Sequence, residues 1–159
     1  MDEMVIRKET VRVELQLVHG GVVHGDVFLR APQEGTDRGE RLIDVLAQRA
    51  FVPLKTPEKL LFVATRHIAW VRIDLLAAID ELDPEGEDDE SSCIARVIVD
   101  LGDETRVEGQ LRYVAPPTAR RLGDHLERLP RFFALRTDDW LYIVRAGGVV
   151  SMTPLEEKR

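Results

Sequence analysis

Four side chains that can bind metal ions flank two predicted turns of the chain. His19 and His24 lie on either side of a Gly-Gly pair, and the second half of the sequence repeats the first with Asp103 and Glu108 at the equivalent positions. Imidazole and carboxylate groups together suit a transition metal, so a metal-dependent enzyme is one hypothesis. The spacing matches no known metal-binding motif, however. Solvated residues beside a turn are the simpler interpretation.

The sequence contains no recognisable set of residues for nucleophilic catalysis. Such catalysis needs a Ser, Cys or Thr beside a base and an oxyanion hole. Cys93 follows a run of carboxylates that oppose its thiolate form, and Ser151 lacks the Gly-x-Ser-x-Gly turn of hydrolases. The acids Asp138 and Asp139 precede a predicted strand at Trp140 and are typical of a hairpin turn. We therefore predict a protein that is not an enzyme and uses no cofactor.

Basic residues at two places are candidates for contact with RNA or with a protein partner. Clustered Lys and Arg residues supply much of the affinity of proteins for nucleic acids. Arg121 and Arg128 lie one heptad apart on a predicted helix of the second half. Arg66, His67 and Arg145 lie near the ends of predicted strands. A solvated helix face is the simpler explanation of the first pair.

The charges of the chain are concentrated in one segment. The 159 residues carry a net charge of −7, but residues 81–90 hold seven carboxylates and no base, which leaves 22 acids and 22 bases elsewhere. The body of the protein is therefore neutral, which disfavours nucleic acid as a partner. A run of like charges without apolar residues has nothing to bury, so we predict an acidic flexible linker over 81–93.

Other features of the composition indicate a cytoplasmic protein. Hydrophobic residues make up 44% of the chain and charged residues 32%, which is typical of a globular domain. No apolar run approaches the roughly 20 residues that span a bilayer, so we expect no association with membranes. The N-terminus lacks the features of a signal peptide, and the single cysteine cannot form an intrachain disulfide.

The sequence before the acidic segment is repeated after it. Residues 11–32 align with residues 95–116 at a constant offset of 84, which pairs Gly25 with Gly109. Three shorter segments then align in the same order: 41–46 with 121–126, 51–54 with 132–135, and 61–63 with 141–143. A duplicated unit explains this series of matches. We predict a first unit over 1–80 and a second over 94–159.

Each unit has the residue pattern of a small β-sheet. Apolar and polar residues alternate over 11–17, as in a strand with one buried face. The Gly-Gly pair suits a tight hairpin, and the glycine within each second strand predicts a bulge or bend. Apolar residues at helical spacing over 41–49, repeated at 122–129, predict a short helix between the second and third strands. The fold class is therefore mainly β (α+β).

Two short motifs recur in this pattern. The first unit contains Val13-x-Leu15-x4-Gly20-x2-Val23-x-Gly25-x-Val27 and then Thr65-Arg66-His67-Ile68-x2-Val71. The second unit contains Val97-x-Val99, Val107-x-Gly109-x-Leu111 and then Arg145-Ala-Gly-Gly-Val149. These motifs resemble those of Sm-like (LSm-type) small β-barrel proteins. The resemblance implies two tandem, strongly bent five-stranded barrels that assemble edge to edge into rings.

The chain departs from the Sm-like pattern where that family binds RNA. The resemblance implies an Asp or Asn loop after the second strand and an Arg-Gly pair near the end. This chain has Arg30-Ala31-Pro32 at the first position and Arg66-His67 at the second. Because small sheets leave edge strands that attract partners, we expect a homo-oligomer that acts as a non-enzymatic scaffold or interaction module. Single-stranded RNA binding is the alternative.

Overall fold

The computed structural model describes residues 8–30, 39–78, 92–102, 104–114 and 121–155 as a mainly β protein. The first five strands are β1 (Lys8–Leu17), β2 (Val22–Arg30), β3 (Phe51–Lys55), β4 (Leu60–Ala64) and β5 (Ile68–Asp74). The other five are β6 (Ser92–Asp100), β7 (Arg106–Val114), β8 (Phe132–Arg136), β9 (Trp140–Arg145) and β10 (Ser151–Pro154). Helices α1 (Leu42–Gln48) and α2 (Leu122–Leu126) each follow the second strand of their half.

The predicted linker lies almost wholly outside the described residues. Of the segment 81–93, only Ser92 and Cys93 are described, and they begin β6. The unit boundaries at 80 and 94 therefore stay a prediction. Within the described ranges, no helix is long and apolar enough to cross a membrane.

All ten strands belong to one antiparallel sheet. Its strand order is β10-β6-β7-β8-β9-β5-β1-β2-β3-β4. Each half contributes five adjacent strands with its fifth strand beside its first, and the pairing of β5 with β9 joins the halves. The sheet is open, and in the described part of the chain no strand covers the outer side of β4 or of β10. Two closed barrels are therefore not confirmed, although the mainly β class is.

The repeated glycine marks a close approach of two strands in each half. A Cβ atom on Gly25 would lie 2.7 Å from the carbonyl oxygen of Lys55, and one on Gly109 would lie 2.7 Å from that of Arg136. A side chain at either position would collide with backbone. The glycines thus let the third strand of each half, β3 or β8, cross tightly over the second.

The first hairpin of each half turns through residues with positive φ angles. Gly20 and Gly21 have φ angles of +91° and +93°, as the sequence predicts, and the second hairpin has positive φ at Gly102 and Glu104. Glycine adopts this left-handed backbone without a steric penalty, whereas Glu104 adopts it at a cost. The two turns therefore differ in detail: the positive φ angles fall on adjacent residues in the first hairpin and on residues 102 and 104 among the described residues of the second.

The strand register corrects one detail of the predicted repeat. Lys55 pairs with Leu60 in the first half, and Arg136 pairs with Leu141 in the second. Leu60 of β4 is therefore the equivalent of Leu141 of β9, and the predicted match of Leu61 with Leu141 is wrong by one position. Backbone pairing decides this register, and the short apolar segment alone does not.

The two halves share their hydrophobic cores across the β5–β9 junction. The core of the first half includes Phe132, Leu141 and Ile143 from the second half. The core of the second half includes Trp70 from the first. Each half therefore completes the other's core, and the junction is a continuous apolar contact.

Candidate interaction surface

Three large apolar side chains are exposed at the β4 edge of the sheet. Phe51 of β3 is 53% exposed, and Leu60 and Phe62 of β4 are 54% and 67% exposed. Phe62 pairs with Pro53, two residues from Phe51, so the three side chains share one face of the sheet. We call them the edge triad. Grouped exposed apolar side chains of this kind are typical of contact sites.

The equivalent residues of the second half are buried. Phe132, Leu141 and Ile143, which we call the buried triad, are 1%, 2% and 0% exposed. Two of them lie on β9, whose pairing with β5 places them in the core of the first half. The two triads therefore differ chiefly in whether a neighbouring strand and core cover them.

Among the residues that the structure describes, none protects the β4 edge from pairing with a further strand. Proteins commonly protect sheet edges with charged residues or proline. The sequence of β4, Leu-Leu-Phe-Val-Ala, has neither. In its antiparallel register with β3, the backbone groups of Leu60 and Phe62 point to the open side. The edge thus offers both backbone hydrogen bonds and apolar side chains to a partner.

The opposite edge, β10, is shorter and more polar. Its four residues, Ser151–Pro154, pair with β6. The backbone N–H of Leu155 donates to the carbonyl oxygen of Arg96 at 2.8 Å. In this register Met152 and Pro154 direct their backbone to the open side. Because proline has no N–H, this edge lacks a donor at Pro154.

A polar cluster reinforces the β5–β9 junction. The Arg72 guanidinium donates from Nη2 to Oε2 of Glu14 at 2.6 Å and from Nη1 to the Tyr142 hydroxyl at 3.3 Å. It also lies 4.1 Å from the centre of the Trp140 ring. Burial lowers the pKa of Arg72, but the hydrogen bonds to Tyr142 and Glu14 outweigh it, so the pKa is raised above its ordinary value. A charged Arg72 thus ties β1 and β5 to β9.

Three of the five predicted contact residues meet at this junction. Nη1 of Arg145 donates to the carbonyl oxygen of Arg66 at 2.6 Å, and Nε of Arg66 donates to Nε2 of His67 at 3.3 Å. Arg66 and His67 are exposed and Arg145 is half-buried. The sequence places Arg66 and Arg145 79 residues apart, so only the fold reveals that they are neighbours.

The other two predicted residues flank α2. Arg121 precedes the helix and Arg128 follows it, and both are exposed. The His125 ring between them stacks on Tyr113, with ring centres 4.6 Å apart. Burial, together with the nearby charge of Arg128, lowers the pKa of His125. A cavity of about 350 Å³ adjoins this stack and is also lined by Phe133.

The predicted metal ligands do not form a cluster in the described part of the chain. The His19 ring lies 5.8 Å from that of His67, and His24 pairs with Glu14 across the first hairpin. Asp103 lies outside the described residues. Among the described residues, no group of three or more His, Cys, Asp or Glu side chains is placed to hold a metal ion.

Sequence reasoning did not find the edge triad. Alternation identifies Phe51, Leu60 and Phe62 as apolar strand residues, which are normally core. Only the strand order shows that β4 lies at an edge. The equivalent residues Phe132, Leu141 and Ile143 are buried. The edge triad lacks, in the described part of the chain, the neighbouring strand and core that cover them.

Comparison with known proteins identifies no relative of this chain. It matches no protein-family model, no curated protein and no solved structure.

Proposed function

We propose that this protein is a non-enzymatic oligomeric scaffold, built from two tandem Sm-like units, whose contact surface is the edge triad. The observation that carries the proposal is the difference between the triads. Each residue of the edge triad is at least 53% exposed, and each residue of the buried triad is at most 2% exposed. Burying one large apolar side chain contributes about 1.5–3 kcal/mol, so covering the edge triad strongly favours association.

The repeated architecture supports the Sm-like part of the proposal. Each half contributes five strands, which is the number that the resemblance implies. The close strand crossing at Gly25 recurs at Gly109, and crossings of this kind bend small sheets towards barrels. Separate closure of the two units is part of the proposal.

The mass of the protein in solution tests the proposal. We expect light scattering to give a multiple of the 18.0 kDa chain mass for the wild type. A Phe62→Glu variant should shift towards the monomer, because a carboxylate cannot be buried in an apolar contact. Leu76→Glu is the matched control, since Leu76 is 84% exposed but lies outside β4. A strictly monomeric wild type, or equal effects of the two substitutions, would overturn the proposal.

Single-stranded RNA binding is the second candidate, and the group formed by Arg66, His67 and Arg145 favours it. These residues place two guanidinium groups and an imidazole together at the β5–β9 junction. If RNA binds there, the anisotropy of a labelled single-stranded oligonucleotide should rise at low salt and fall as salt increases. An Arg66→Glu variant should weaken this binding. Unchanged anisotropy at low salt would remove this candidate.

A further inference from the structure

We infer that the cavity beside α2 binds a small aromatic acid, that is, a flat apolar molecule that carries one carboxylate. The cavity has a volume of about 350 Å³, and small-molecule sites usually measure roughly 300–1,000 Å³. The edge triad is not part of its lining. The inference therefore goes beyond the proposed function and does not depend on it.

The cavity lies where two strands diverge. In the described part of the chain, β7 and β8 share one backbone pair, Gln110 with Arg136. Residues 110–114 of β7 line the cavity, and so do Phe133, Ala134 and Arg136 of β8. Regular pairing with β6 holds β7 in place, and regular pairing with β9 holds β8. The two walls are therefore fixed before a ligand arrives, as is usual for small-molecule sites.

The second half departs from the repeat at this place. Three aromatic rings line the cavity, those of Tyr113, His125 and Phe133. The aligned residues of the first half are aliphatic and buried in its core: Leu29, Val45 and Val52. Helix α1 has seven residues and three buried side chains, whereas α2 has five residues and none. The aromatic lining and the shorter helix thus distinguish the cavity from the packed core of the first half.

The charges of the lining favour an anion. Arg41, Arg112 and Arg136 line the cavity, and none of its described lining residues is Asp or Glu. Arg112 and Arg136 are exposed, whereas Arg41 is half-buried and its Nε atom is buried. A guanidinium presents paired N–H donors that fit the two oxygens of a carboxylate. Its attraction for an anion is stronger where water is excluded.

The other lining residues favour a flat apolar body. Phe133 is buried, while Ile94 and Val114 are 52% and 66% exposed. A ligand that covers these two aliphatic side chains removes apolar surface from water, which favours binding. The ring of His125 stacks on that of Tyr113 with centres 4.6 Å apart, and a further ring can pack against such a stack. An aromatic ring with one carboxylate suits both the walls and the charges.

Isothermal titration calorimetry of the full chain with three compounds tests the ligand class. Cinnamate has a flat ring and a carboxylate, cinnamamide keeps the ring without the charge, and acetate keeps the charge without the ring. We expect one cinnamate to bind per chain, at least tenfold more tightly than either of the other compounds. No binding of cinnamate, or equal affinity for cinnamamide, would overturn the inference. Equal affinity for acetate would indicate an adventitious ion only and would also overturn it.

A double variant, Arg112→Gln with Arg136→Gln, tests the source of the charge selection. Both side chains are exposed, so their replacement should leave the core intact. Cinnamate should bind at least tenfold more weakly to this variant. Arg106→Gln is the matched control, since the Arg106 side chain lies on the same strand as Arg112 and is 74% exposed, but is not part of the lining. Equal affinities of the double variant and the control would contradict the inference.

A carboxylate added to the lining provides an independent test. Ile94 lies opposite Arg112 in the pairing of β6 with β7. An Ile94→Glu variant should therefore repel the carboxylate of cinnamate and also neutralise Arg112. Ile94→Gln has nearly the same shape without the charge and is the matched control. Cinnamate should bind several-fold more weakly to the Glu variant than to the Gln variant, and equal affinities would show that the cavity does not select an anion.

Proton NMR of the histidine rings tests the location of the bound ligand. Of the four histidines, the one that lines the cavity is His125. Its ring C–H resonance, identified by its loss in His125→Phe, should shift as cinnamate is added and saturate at the calorimetric affinity. The control resonances, which should stay in place, are those of His19, His24 and His67. An unmoved His125 resonance would place cinnamate elsewhere and overturn the inference.

Discussion

The two halves of the chain have the same strand order, but their equivalent strands have different surroundings. Strand β9 lies inside the sheet between β8 and β5, and strand β4 lies at its edge. Their apolar residues are alike in type but opposite in exposure. The comparison shows that burial of a strand residue depends on which strand is its neighbour. It also identifies the edge triad as an apolar surface that the described residues leave exposed.

The helices of the two halves differ in a related way. Helix α1 closes the first core with three buried side chains. At the position of the buried Val45, the shorter α2 has His125, which stacks on Tyr113 beside a cavity. The second half therefore has a titratable histidine where the first half has a buried valine. Its helix also buries less apolar surface than α1 does.

The largest expected effect separates the two triads. Phe132→Ala should lower the free energy of unfolding by about 3–5 kcal/mol, because it leaves a cavity in a core shared by both halves. Phe51→Ala should change it by no more than about 0.5 kcal/mol at concentrations where the protein is monomeric, because the ring is half-exposed. Urea denaturation of both variants measures the difference. Similar losses would contradict the described positions of β3 and β8.

A second comparison should find the two halves alike. Gly25→Ala and Gly109→Ala each place a methyl group 2.7 Å from a backbone oxygen. Each should therefore lower the free energy of unfolding by about 1–3 kcal/mol. Gly123→Ala is the matched control, since no atom lies near its added Cβ and alanine favours the helix. Urea denaturation should place the control at or above the wild type. A harmless substitution at either strand glycine would show that the close crossing is not shared.

Local patterns in the sequence were sufficient to predict much of the fold. Strand alternation over 11–17 predicted most of β1, and the Gly-Gly pair predicted the turn into β2. The repeated glycine predicted a bulge or bend, and the structure shows instead a close approach of the third strand at Gly25 and Gly109, with no register shift against the first strand of either half. These features depend on residues near one another in the chain. The one-residue error in aligning β4 with β9 arose where a short apolar run gives no internal marker of register.

The candidate surface could not be predicted in the same way, because it depends on contacts distant in sequence. The pairing of β5 with β9 leaves β4 at the edge, and nothing in the sequence of β4 indicates that outcome. Likewise, Arg66 and Arg145 become neighbours only through that pairing. The predicted repeat nevertheless helped, since comparing residues at equivalent positions of the two halves reveals the difference between the triads.

The smallest expected effect depends on the histidine that only the second half has. Because burial lowers the pKa of His125 below its ordinary value, the unfolded chain binds a proton at a higher pH than the folded protein does. The free energy of unfolding should therefore decrease as pH falls below about 6.5 and level off once the folded protein is also protonated.

His125→Phe keeps the ring stack with Tyr113 but cannot titrate, so urea midpoints at pH 7.5 and pH 5.5 should differ less in this variant than in the wild type. His24→Phe, at a position outside the core, should keep the wild-type difference. Identical pH dependence of His125→Phe and the wild type would show that α2 contributes no titratable contact to the second half.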